Sequence, residues 1–171
     1  MGMLSRIELW INKISDVCGT VSSVFFILML FNIFYDVIAR YWFNQVSIGM
    51  QEMEWHLFAA MFLLAIPYTI RAEGHVRVDF IYENFGPRTK AWVNLIGTLV
   101  LLLPFSLLVA WFGIEFSYQA FELSETSADP GGLPYRWVIK AMICVSFVAI
   151  SLAGIAVVLR SISLLKNGDQ L

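Results

Sequence analysis

The sequence predicts an all-α integral membrane protein with four transmembrane helices, an amphipathic interfacial helix before them, and both termini in the cytoplasm. Its 171 residues are 59% hydrophobic and only 14% charged, and the mean hydropathy is +0.74. A soluble domain is about a quarter charged and about half apolar. Four apolar runs have the length that a bilayer span requires, and most basic residues lie outside them on one side.

Residues 4–16 form an amphipathic segment ahead of the first apolar run. Ile7, Trp10 and Ile14 recur at helical spacing, and charged or polar side chains fill the other face. This pattern predicts a helix that lies in the membrane interface, with Trp10 among the lipid headgroups. The alternative is that residues 4–16 extend the first spanning helix into water.

The four apolar runs make residues 1–171 a single four-helix domain, since a span needs about twenty mostly apolar residues. We predict the four spans at residues 17–39, 54–70, 91–118 and 138–159. The third run is longer than a span needs. Pro104 inside it predicts a kink, because proline lacks an N–H and its ring clashes with the preceding turn.

Polar side chains interrupt the first span near its far end. Asn32, Asp36 and Arg40 are spaced by four residues and therefore share one face of the helix. Asp36 and Arg40 form a favourable acid-before-base pair. We interpret this stripe as a structural contact between helices, and the alternative is the lining of an ion pathway. Glu52 and Glu54 then introduce the second span.

The most charged run of the chain joins the second span to the third. It contains Arg71, His75, Arg77 and Asp79. We expect Arg71 and Arg77 to anchor the run at the membrane surface, where anionic lipid contributes about 1 kcal/mol per basic residue. Asp79 is expected to cap a short helix that follows. His75 is interpreted as a local hydrogen-bonding residue.

A turn rich in proline and glycine, residues 130–134, precedes the fourth span. Arg136 and Lys140 follow in the first turn of the last helix, where the helix dipole disfavours cations. An acidic neighbour or a lipid phosphate must offset that placement. Glu115 on the third helix is the nearest carboxylate by depth, so we predict that it pairs with Lys140.

The basic residues set the orientation. Eight of the eleven lie before the first span, between the second and third spans, or after the fourth. Because cytoplasmic loops carry the excess of Lys and Arg, both termini and the central loop are predicted to be cytoplasmic. The predicted location is the inner membrane of a bacterium, which the chain crosses several times.

The sequence lacks the residue sets that catalysis or cofactor binding needs, so we expect neither an enzyme nor a cofactor. The net charge of −2 and the lack of a Lys/Arg cluster argue against nucleic acid. His56 and His75 belong near opposite ends of the second span, too far apart to share one haem iron. Four helices with short connections leave little room for a substrate path, which favours a partner of a larger protein.

The arrangement resembles the small membrane subunit of tripartite ATP-independent periplasmic (TRAP) transporters over most of the chain. The resemblance is carried by four spans with cytoplasmic termini, Arg40 at the end of the first, Glu52 and Glu54 at the start of the second, and the run Arg71-x-x-x-His75-x-Arg77-Val78-Asp79. The turn Gly132-Leu133-Pro134 before Arg136-Trp137 also resembles the last outer loop of that family.

This resemblance implies a transporter of three parts. A periplasmic substrate-binding protein delivers an organic anion, such as a carboxylate or sialic acid. A large multi-span membrane subunit carries the anion with a sodium gradient, and the non-catalytic small subunit braces its scaffold. The candidate structural or partner-interface residues are then Asn32, Asp36, Arg40, Glu52, Glu54, Arg71, His75, Arg77, Asp79, Glu115, Arg136 and Lys140.

Two other functions remain open from the residues alone. One is a stand-alone four-helix carrier that uses Asp36 or Glu54 as its coupling acid. The other is a membrane redox protein that uses His56 or His75. Purification with or without a larger membrane partner separates the subunit from both alternatives, and an absorption spectrum tests the redox protein.

Overall fold

The computed structural model describes residues 3–72 and 85–167, and in that part of the chain every regular element is helical. The elements are α1 (Met3–Phe43), α2 (Ile48–Arg71), α3 (Pro87–Gly97), a π-helical turn (Thr98–Leu102), α4 (Leu103–Glu122) and α5 (Trp137–Asn167). Four helical units are long and apolar enough to cross a membrane: α1, α2, the continuous stretch from α3 to α4, and α5. The predicted helical fold with four candidate spans is confirmed.

Helix α1 is continuous through residues 4–16, in agreement with the alternative that this segment extends the first spanning helix. One uninterrupted helix, Met3–Phe43, contains this segment and the first span, because no glycine or proline interrupts the segment. At 1.5 Å per residue, its 41 residues extend about 60 Å, twice the hydrocarbon thickness of a bilayer. Ile11 is buried and Trp10 is 70% exposed, so the segment has two distinct faces. Its placement along the membrane surface stays a prediction.

Two polar residues shape the short turn between α1 and α2. Asn44 adopts a φ of +52°, the left-handed conformation that commonly follows a helix end. Ser47 caps α2, since its hydroxyl accepts a hydrogen bond from the Met50 N–H at 3.4 Å. Helix α2 therefore begins at Ile48, earlier than the predicted second span, and Glu52 lies in its second turn.

The third span is irregular close to the predicted kink. Helix α3 passes into the π-helical turn Thr98–Leu102, and α4 begins one residue before Pro104. Proline has no N–H and clashes with the carbonyl four residues earlier, so the hydrogen-bond ladder shifts in the preceding turn. Pro67 of α2, by contrast, is buried inside a helix that continues to Arg71.

The last helix forms the centre of the domain. Helix α5 packs against every other helix, and a larger share of its apolar residues is buried than in α1. The core joins Ile150 and Ala153 of α5 to Ile70 of α2. Ala149 and Ala156 are also buried on α5, and such small side chains let neighbouring helices approach closely.

Hydroxyl groups connect the helices inside this apolar core. The Ser22 hydroxyl of α1 donates to the carbonyl of Met61 in α2 at 2.8 Å. The hydroxyls of Ser106 in α4 and Ser151 in α5 lie 2.8 Å apart. Interhelical hydrogen bonds of this kind contribute about 0.6 kcal/mol on average in membrane proteins. Their contribution to stability is therefore small, and their main effect is to specify which helix faces pack together.

Candidate functional site

The carboxylate of Glu52, in α2, collects three partners from the loop between α4 and α5. The Ser127 hydroxyl donates to Oε1, and the Leu133 N–H donates to Oε2 at 2.6 Å. The guanidinium of Arg136 adds an ion pair, with 3.8 Å between Nη2 and Oε1. Because Glu52 is only 6% exposed, these partners offset the cost of burying its charge. We call Glu52, Ser127, Leu133 and Arg136 the Glu52 cluster.

The loop bends back onto α2 through two glycines. Gly131 turns the chain with a φ of +85°, and the Ser127 N–H bonds to the carbonyl of Leu133 at 3.1 Å. Gly132 lies so close to the cluster that a Cβ there would meet Glu52 Oε2 at 2.8 Å and overlap Ser127. Only glycine allows the backbone to come this near.

Arg136 is held from two sides just before α5 begins. Its guanidinium carbon lies 5.7 Å from the centre of the Trp55 ring, within cation–π range, while Nη2 faces Glu52. Its Nε is buried and has no hydrogen-bond partner among the residues that the structure describes. The acid that the cation needs at this helix start therefore comes from α2.

The predicted pair between Glu115 and Lys140 is wrong. Lys140 Nζ instead bonds to the carboxylate of Glu125 and lies 4.1 Å from the centre of the Phe116 ring. Glu115 is exposed and accepts a hydrogen bond from Gln119 Nε2 at 3.2 Å. The position of a residue along its helix predicts how deep its side chain lies in the membrane, but not which way the side chain points. Glu125 reaches Lys140 because the loop between α4 and α5 returns to the start of α5.

The polar stripe on α1 contacts the start of α2. Asn32 is 8% exposed, and its Nδ2 donates to the carbonyl of Met50 at 2.9 Å. The predicted ion pair between the buried Asp36 and Arg40 forms one turn further along. Glu54 lines the same shallow cavity as Arg40. These contacts fit a structural role for the stripe, which stays a prediction.

At the opposite end of the helices, Arg71 of α2 pairs with Asp16 of α1. The two side chains are 37% and 43% exposed, so the pair contributes at most about 1 kcal/mol. The sequence carried a signal for it, because Asp16 immediately precedes the first predicted span and Arg71 immediately follows the second. The other charged candidates of this region, His75, Arg77 and Asp79, lie outside the described residues.

The charged residues of the spans therefore lie at two levels. No Asp, Glu, Lys or Arg lies between Glu54 and Arg71 on α2, or between Lys140 and Arg160 on α5. Glu52 and Arg71 are separated by 19 residues, which is about 30 Å of helix and matches the hydrocarbon thickness of a bilayer. The ion pairs can hold the helices at a fixed depth in the bilayer, which is a structural role.

His56 is engaged with its own helix. Its Nδ1 lies 2.7 Å from the carbonyl oxygen of Glu52, and its ring centroid lies 3.8 Å from that of Trp55. Over residues 3–72 and 85–167, no three His, Cys, Asp or Glu side chains come close enough together to hold a metal ion.

Sequence reasoning missed three participants in these contacts: Glu125, Ser127 and the backbone of Leu133. Glu125 had a local signal, because an acid in a loop that leads into a basic helix start can offset the helix dipole. Ser127 and Leu133 had none. They reach Glu52 only through the backbone path of the loop, which no periodicity reveals.

Comparison with known proteins agrees with this architecture. A family model described as tripartite ATP-independent periplasmic transporters, DctQ component, matches residues 29–164, which include the Glu52 cluster. A protein of Haemophilus influenzae named "Putative TRAP transporter small permease protein" is 25% identical over 150 residues, which are 87% of this chain and 91% of that protein. No solved structure shows a significant match. The resemblance predicted from the sequence is confirmed, and the chain belongs to the DctQ family, a membrane component of TRAP transporters.

Proposed function

We propose that this chain is the non-catalytic small subunit of a sodium-coupled TRAP transporter for an organic anion, such as a carboxylate or sialic acid. In this role it braces the scaffold of the large membrane subunit. One observation carries the proposal: ion pairs within the chain link the span ends, with Glu52–Arg136 at one level and Arg71–Asp16 at the other. Charged side chains that are paired within the protein hold the helices in register and are not available to bind a substrate.

The outward surface of the helices supports a partner role. Large apolar side chains project outward along the spans, and Phe31, Val100 and Trp111 are each more than 60% exposed. Such a surface needs lipid or another membrane protein to cover it. We infer that the large multi-span subunit covers part of this surface and phospholipid covers the rest. The periplasmic binding protein then acts through the assembled complex.

We further propose a location in the bacterial inner membrane, with both termini and the connection from α2 to α3 in the cytoplasm, because basic residues concentrate there. Thr89→Cys and Thr126→Cys, both at exposed positions, test this orientation in a chain whose Cys18 and Cys144 are replaced by alanine. An impermeant thiol reagent added to spheroplasts is expected to label residue 126 and not residue 89. Labelling of residue 89 alone would invert the orientation.

Uptake into proteoliposomes tests the subunit role. The tagged chain is expected to co-purify with a large membrane protein. With an inward sodium gradient and labelled organic acids, the chain alone is expected to give no uptake. The chain with the large subunit and the binding protein is expected to transport, because only that set contains a substrate path.

Two controls separate the alternatives in the same assay. Vesicles that contain the large subunit and binding protein without this chain are expected to lose most uptake, since the brace is missing. Undiminished uptake in those vesicles would remove the bracing role. Uptake by this chain alone would instead establish a stand-alone carrier, and uptake that ignores the sodium gradient would exclude sodium coupling.

A further inference from the structure

A cavity of about 550 Å³ with both polar and apolar walls lies at the Arg71 end of the helices, between α1, α2, α3 and α5. Among the described residues, the cationic side chains of Arg71, Lys90 and Arg160 line it, against the single carboxylate of Glu8. None of these four residues belongs to the Glu52 cluster. The described lining therefore has an excess of positive charge at the end of the domain opposite that cluster.

The walls of the cavity combine small side chains with polar ones. Ala91, Ala153 and Ala156 leave the space open, since each is buried and carries only a methyl group. Ser161 lines the cavity although it is only 3% exposed, and Asn94 adds an amide. Cationic, hydroxyl and amide groups together suit an anionic ligand that accepts several hydrogen bonds. A phosphate ester is such a ligand.

The position of the cavity favours a lipid as the source of that phosphate. Arg71 and Arg160 each end a charge-free stretch of their helix, which places them at the boundary of the hydrocarbon region. Trp92, on the same helix as Lys90, is 50% exposed at that level, where tryptophan contacts lipid headgroups. Basic pockets between spans on the cytoplasmic side are known to hold anionic headgroups.

We propose that this cavity binds the phosphate-bearing headgroup of an anionic phospholipid. The proposal rests on the proposed membrane placement and not on the transport role. Arg71 already pairs with Asp16, and Lys90 and Arg160 also take part in interactions within the protein. The phosphate of the headgroup therefore binds to side chains that already interact within the protein, and Arg71, Lys90 and Arg160 each contribute part of the affinity.

Lipid binding to the full chain, followed by native mass spectrometry from detergent, tests the site. Phosphatidylglycerol is expected to bind more tightly than phosphatidylcholine with the same acyl chains. Lys90→Gln and Arg160→Gln are each expected to weaken phosphatidylglycerol binding about fivefold, the equivalent of about 1 kcal/mol per cation. Glu8→Gln is expected to tighten binding, because it removes a carboxylate that lines the cavity.

Matched substitutions outside the cavity make the test specific. Arg88→Gln and Lys166→Gln remove the same charge from α3 and α5 at exposed positions that do not line it, so both are expected to bind like the original chain. If Arg88→Gln weakened phosphatidylglycerol binding as much as Lys90→Gln, the lipid would be attracted by the general positive charge of the surface and not by this cavity, which would overturn the proposal. Displacement of the lipid by inorganic phosphate at comparable concentration would overturn it too, in favour of a free-anion site. If the Gln variants of the cations are not monodisperse, unchanged binding by Glu8→Gln decides against the site.

Discussion

Replacing Glu52 with alanine is expected to lower the midpoint of thermal unfolding of the full chain by several degrees and to release the loop between α4 and α5. The substitution leaves the Arg136 guanidinium without its carboxylate and removes the acceptor of the Leu133 N–H and the Ser127 hydroxyl. Arg136 is only partly buried, but the loss of its carboxylate and of the acceptor for two donors costs more than the ion pair contributes when it is intact. Circular dichroism measures the unfolding, and the rate of limited proteolysis between α4 and α5 measures the release of the loop.

Glu54→Ala is the matched control for this prediction. It removes the same charge two residues further along α2, and Glu54 forms no ion pair within the described chain. It is expected to change the unfolding midpoint little. Glu52→Gln is expected to lie between the two alanine variants, because the amide oxygen still accepts one hydrogen bond while the charge is lost. Equal losses from Glu52→Ala and Glu54→Ala would show that the Glu52 cluster stabilises nothing specific.

Gly113→Leu is expected to push α4 away from α5. A Cβ at residue 113 would already lie 3.4 Å from the backbone N and Cα of Cys144, and the rest of a leucine side chain would have to enter the neighbouring backbone. Overpacking of this kind costs about 1–3 kcal/mol and occasionally more. Thermal unfolding and the yield of co-purified large subunit measure the effect, and both are expected to fall.

Gly97→Leu provides the comparison, because nothing lies within 4 Å of a Cβ built at residue 97, at the end of α3. Leucine favours a helix over glycine by up to about 1 kcal/mol, so this variant is expected to be as stable as the original chain or slightly more stable. Gly113→Ala is expected to have a small effect, since the added methyl group only touches the Cys144 backbone. A loss from Gly97→Leu as large as that from Gly113→Leu would contradict the close packing of α4 on α5.

Local rules were sufficient to predict the helical architecture. The four candidate spans follow from the length of the apolar runs, the Asp36–Arg40 pair follows from its spacing along one helix, and the irregular third span follows from Pro104. Each of these features depends only on residues that are close in sequence. For that reason, composition and periodicity contain the information needed to predict them.

Contacts between distant segments depend on information that those rules lack. Glu115 has the predicted depth for a partner of Lys140 but projects from an exposed face of α4. The partners of Glu52 lie 75 and 81 residues away, at Ser127 and Leu133, and they reach it only because the loop packs closely through a glycine. The sequence left open whether residues 4–16 join the first span, because both segments share the helical period.

The distance between the two charged levels limits how far this chain can shift along the membrane normal. A displacement of one helical turn, about 5.4 Å, would draw Glu52 and Arg136, or else Arg71 and Asp16, into the hydrocarbon region. Movement is therefore penalised in both directions. A neighbouring protein that moves perpendicular to the membrane would therefore move past a subunit that stays at one depth. A bilayer much thicker or thinner than about 30 Å would misplace both sets of ion pairs relative to the hydrocarbon boundaries.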